Sequence, residues 1–157
     1  MTQAEKEQYR GICEMYSSFS KSEIVKTATE TARDLFRVIS GKMGRESARG
    51  FMVILYAAIS AADGAINATE YQFLSDTFLT PNRLTCDFSD FRTILNDAAC
   101  RRMNVRECFY TELERGYYDA FFYKWKMMIL AICIAAYDER INEDELYWLT
   151  NYIPYQL

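Results

Sequence analysis

Two pairs of carboxylates stand at matching places in the chain: Asp63 with Glu70, and Asp138 with Glu145, seventy-five positions further on. Oxygen ligands of this type suit a hard divalent cation such as Ca²⁺ or Mg²⁺. These four residues are therefore the candidate metal ligands. Each aspartate closes a long apolar run, where the partial negative charge of a helix C-terminus disfavours a carboxylate. A residue set against that field twice invites a ligand role. A purely local role competes with it, because aspartate bonds its own backbone two residues on and stabilises Asp-Gly turns. For the glutamates the local role is stronger still. Glu70 and Glu145 each stand three residues after an asparagine, Asn67 and Asn142, which is the spacing of a capping box. Segment 138–145 holds five carboxylates against Arg140, yet it lacks the D-x-[DN]-x-[DN]-G ladder of an EF-hand. A solvated acidic helix start is the alternative to weak cation binding there.

The carboxylates belong to a longer repeat. Met52–Phe78 and Met127–Ile153 align without a gap and share ten identical positions, among them Ile54/Ile129, Ile66/Ile141 and Leu74/Leu149. A repeat is read before anything else because it dictates architecture. In each copy an apolar helix runs into an acidic turn, and an Asn-capped helix follows. Phe51–Ala62 is apolar on every side except Ser60, and Met127–Tyr137 is apolar throughout, so both should be buried. Were these helices antiparallel, the two acidic turns would lie at opposite ends. A helix of about 12 residues spans about 18 Å, so Asp63 and Asp138 could not then share one ion.

The pattern Ala61-Ala62-Asp63-Gly64-Ala65-Ile66 followed by Glu70 resembles the TerB-like family, the tellurite-resistance-associated all-α domain. The second copy, Ala136-Tyr137-Asp138-Glu139-Arg140-Ile141 and then Glu145, resembles it less: Tyr137 replaces Ala62 and Glu139 replaces Gly64. A left-handed backbone at Glu139 would be strained. The resemblance implies a compact acidic helical module, divalent-metal binding and a role in stress-response complexes.

Elsewhere the pattern is helical. Residues 4–19 form a weakly amphipathic helix with Tyr9, Ile12, Met15, Tyr16 and Phe19 on its apolar side, and residues 1–20 are expected to fray. Ser20 and Glu23 form a capping box, after which Ile24, Ala28, Ala32, Leu35, Phe36 and Ile39 recur at helical spacing. Gly41 to Gly50 reads as the most flexible connector. Its glycines and cations suggest a phosphate loop, but the spacing does not match GxxxxGK[ST], and a basic turn between helices is the better account. Thr80-Pro81 breaks a helix. Ser89–Arg102 and the stretch after Asn104 read as two more helices. The aromatic block from Tyr117 to Trp125 suggests core packing by Phe121, Phe122 and Trp125. Tyr147, Trp148, Tyr152 and Tyr155 are a candidate docking or self-association face. The expected architecture is a single all-α domain over residues 1–157. It is a compact bundle of about seven or eight helices, with the copies 51–78 and 126–153 related by a pseudo-two-fold.

Composition narrows function. The chain has 157 residues, a net charge of −4 and no histidine. An acidic balance disfavours nucleic acid, whose backbone demands a basic face. Lack of histidine removes the commonest general base and the usual zinc constellations. Five cysteines without a CxxC fit free thiols in a reducing cytoplasm. The longest apolar run, Met127–Tyr137, is too short for a membrane span. The sequence thus points to a non-enzymatic cytoplasmic module that binds a protein partner, with Ca²⁺ or Mg²⁺ at the repeated turns. A self-associating scaffold without a metal site is the alternative, and a carboxylate-dependent metalloenzyme is a third reading.

Overall fold

Helix starts are written into this chain as capping boxes, and a computed structural model shows four of them closed. It describes residues 2–60, 66–96, 120–138 and 141–152. Thr2 opens α1 (Gln3–Ser17): its Oγ1 accepts from the Glu5 amide, and the Glu5 carboxylate accepts from the Thr2 amide. The sequence Thr-x-x-Glu carries this signal, so α1 has a defined start where fraying was expected. Ser20 and Glu23 do the same for α2 (Lys21–Met43). Asn67 and Glu70 open α4 (Ala68–Leu74). Asn142 and Glu145 open α7 (Glu143–Tyr152). The repeat is thus expressed locally as the same pair of hydrogen bonds. The copies then diverge. α4 passes into a π-helical turn, Ser75–Leu79, whereas α7 continues as an α-helix of 10 residues.

The expected flexible connector is almost entirely helical. α2 continues to Met43 and α3 (Arg45–Ser60) begins two residues later. Gly44 alone makes the corner, at a φ of 87°, in a region that L side chains rarely adopt. One glycine suffices because the segment from Arg45 to Gly50 holds no further breaker strong enough to stop a helix fed by an apolar run. The remaining described helices are α5 (Phe88–Asn96) and α6 (Ala120–Ala136). The helix expected after Asn104 lies outside the described residues.

The seven described helices enclose one core, and no strand occurs among the described residues. α6 is its axis: every side chain from Met127 to Ala136 is buried, and the helix packs on α1, α2, α3 and α7. All six apolar positions expected on α2 are buried. Among the described rings of the aromatic block Tyr123 is fully buried, whereas Phe122 and Trp125 are half-buried. Tyr123 lies one helical turn before Met127 and two before Leu130, on the face turned to the core. The side chain of Phe121 lies outside the described residues. Asp34 of α2 accepts from Lys126 Nζ of α6 at 3.0 Å, with both side chains mostly withdrawn from water. The interior also holds a polar relay. Thr77 Oγ1 donates to the Phe73 carbonyl at 2.6 Å, which leaves the Tyr56 hydroxyl to donate to Thr77 Oγ1 at 2.7 Å. This relay satisfies a hydroxyl inside the π turn, where the α-helical ladder is interrupted. No described helix is long and apolar enough to cross a membrane.

Candidate functional site

The two acidic turns are built by their caps. Asn67 Oδ1 accepts from the Glu70 amide at 3.0 Å, and Glu70 Oε2 accepts from the Asn67 amide at 2.7 Å. In the second turn the corresponding bonds, Asn142 with Glu145, are both 2.9 Å. Each glutamate therefore already serves an amide that a cation would have to leave satisfied. Their surroundings differ: Glu70 is buried at 9% exposure, whereas Glu145 is half-buried. Asp138 is half-buried in the turn after α6. Asp63 lies outside the described residues, as do Gly64, Glu139 and Arg140. Among the described residues no three His, Cys, Asp or Glu side chains gather as a metal-binding group.

Tyr137 brings the two copies together. Its ring stacks on Phe73 of α4, with centroids 4.3 Å apart and planes 21° apart, and Lys21 of α2 stands over it at 5.3 Å. Tyr137 is one of the positions where the second copy departs from the first copy's pattern, in which Ala62 stands. A small alanine there could not bridge to the first copy's helix.

Two residues that sequence reasoning passed over hold the second turn against α1. Arg10 Nη1 donates to Glu143 Oε1 at 3.1 Å, and the Ile141 amide donates to Ser17 Oγ at 3.4 Å. A small cleft of about 260 Å³ lies beneath, floored by Cys13 and Leu146. No local signal announces these contacts, because they join residues more than a hundred positions apart. The ion pair is open to water at both ends and contributes little to stability. Burial pushes the Cys13 thiol up to about 12, so this cysteine is an inert part of the floor.

α7 turns two faces. Leu146 and Leu149 are buried, whereas Glu143, Asp144, Tyr147 and Asn151 point outward. Tyr147 is 67% exposed, one helical turn from the two acids. The side chains of Trp148 and Tyr152, and the whole of Tyr155, lie outside the described residues. Comparison of the chain with family models, curated proteins and solved structures finds no match in any of the three.

Proposed function

We propose that the chain is a non-enzymatic binding module that takes a cationic segment of a protein partner on the outward face of α7. The observation that carries this reading is Tyr147, 67% exposed beside Glu143 and Asp144. An aromatic ring supplies contact area and a cation–π face, and the acids supply charge complementarity to Lys or Arg. The TerB-like resemblance, with its helical modules in stress-response complexes, agrees with such a role. Asp138 and Glu145, two of the four carboxylates proposed for Ca²⁺ or Mg²⁺, stand at the turn that opens α7, so a divalent cation held there would compete with the partner segment. The cytoplasm suits the free thiols of Cys13, Cys86 and Cys133.

The test is binding of a labelled amphipathic Lys/Leu peptide, followed by fluorescence anisotropy, with sedimentation run on the same samples. Binding should weaken at least tenfold in the variant Asp144→Lys with Tyr147→Ala, should fall with added salt, and should be reduced by millimolar Ca²⁺. Equal binding by wild type and variant would sink the proposal. Self-association of the wild type that the same variant abolishes would replace the foreign partner by a second copy.

A further inference from the structure

Three arginines that sequence reading left as a basic turn and a loop meet in one polar cleft. Arg45 and Arg49 come from the first turns of α3, and Arg83 from the loop between the π turn and α5. The cleft has a volume of about 500 Å³ and is also lined by Glu46, Asp87 and Asp90. Its charges balance, three cationic against three anionic, but they are not used alike. Arg45 donates to the Asn82 carbonyl at 2.5 Å and lies over the Phe36 ring. Arg49 donates to the Thr85 carbonyl and pairs with Glu46 at 3.3 Å. These two hold the loop in place. Arg83, Asp87 and Asp90 make no ion pair among the described residues, although all three line the same cleft.

Arg83 also occupies an unfavourable backbone position. The Leu84 amide donates to the Leu79 carbonyl at 2.8 Å and the Arg83 amide to the Thr80 carbonyl at 3.1 Å. This is the Schellman pattern, and it puts Arg83 at the left-handed residue, with a φ of 56°. Glycine is the residue that suits this position. Arg83 is the one non-glycine residue with positive φ among those described. An arginine there opposes local stability, and it brings to the cleft a guanidinium that, like Asp87 and Asp90, makes no ion pair among the described residues.

We infer that this cleft binds a small zwitterion of the amino-carboxylate class. The ligand carboxylate would take the guanidinium of Arg83 as a two-pronged acceptor, and its ammonium would take Asp87 and Asp90. A cleft in which Arg83, Asp87 and Asp90 make no ion pair among the described residues matches a ligand carrying both signs, whereas a plain anion would meet three carboxylates. The site is separate from the face of α7.

The test is titration of the full chain with glycine, β-alanine and γ-aminobutyrate, followed by amide NMR shifts, with acetate, ethylamine and inorganic phosphate as single-charge probes. At least one amino acid should give saturable shifts confined to residues 45–49 and 83–90. Each single-charge probe should bind at least tenfold more weakly. Arg83→Gly should raise Tm while weakening amino-acid binding at least tenfold, and Asp90→Asn should weaken it without changing the fold. Three results would overturn the inference: no saturable shifts with any amino acid, phosphate or acetate binding as tightly, or Arg83→Gly binding as wild type does. Because Arg83→Gly is expected to stabilise the chain, loss of binding in it cannot be ascribed to unfolding.

Discussion

At the scale of single residues, Asn67 and Asn142 carry the same task in different surroundings. Each asparagine exchanges two hydrogen bonds with its glutamate, but Glu70 is buried where Glu145 is half-buried. Replacing a cap by alanine costs about 1 kcal/mol, and leaving the Glu70 amide without its Asn67 Oδ1 acceptor beside a buried side chain adds to that. Asn67→Ala should therefore lower stability by about 1–2 kcal/mol, and more than Asn142→Ala does, as read from paired urea melts. Equal losses would mean that burial of Glu70 does not matter.

Two thiols report on the core through pH. Burial pushes Cys13 and Cys133 up to about 12 from an ordinary 9.0. Both are neutral in the folded and unfolded chain below pH 9, so their full contribution is present there. Above it the unfolded thiol loses its proton while the folded one keeps it. The unfolded state then binds fewer protons, and stability falls as pH rises toward 12. Each thiol accounts for up to about 1.4 kcal/mol per pH unit within that window. Burial raises the phenols of Tyr9 and Tyr56 as well, from an ordinary 10.0, so they add to the decline only at higher pH. The double variant Cys13→Ala with Cys133→Ala should show a flatter loss of stability between about pH 9 and 10. An unchanged slope there would mean that these thiols are not buried.

At the scale of elements, the junction that matters runs through Tyr137. It follows α6, stacks on α4 and lies under Lys21 of α2, so one side chain ties three elements. Truncating a large buried aromatic costs about 3–5 kcal/mol, and less where the ring is half-exposed. For Tyr137→Ala we expect a loss of about 2 kcal/mol, with faster hydrogen exchange in α4. Tyr137→Phe should restore both, since the contact is made by the ring. Unaltered exchange in α4 would show that α4 is held from elsewhere, for instance through the Tyr56–Thr77 hydroxyl relay.

At the scale of the whole molecule, the core is one cluster with α6 as its axis. Two surfaces outside it, among the described residues, are the outward face of α7 and the polar cleft at the start of α3. These differ in chemistry: one presents an exposed ring beside acids, the other balanced charges around a cavity. The partner peptide and the amino-carboxylate should accordingly bind without competing, and a joint titration checks this.

By itself the sequence determined what depends on near neighbours. Periodicity placed the buried face of α2 from Ile24 to Ile39, and apolar runs without relief placed α3 and α6 in the interior. The Asn-x-x-Glu and Ser-x-x-Glu spacings located three helix starts, because a cap is made within four residues. The same spacing at Thr2 was equally legible. Only the tertiary structure decided what depends on distant approach. It made Tyr137 a bridge between the copies, paired Arg10 with Glu143, and brought Arg83 into one cleft with Asp87 and Asp90. For the acidic turns from which function was first sought, spacing showed that carboxylates recur. Which of their oxygens stay open to a cation or a partner is set by packing, because only packing decides whether a charged group meets water, an amide or another charge.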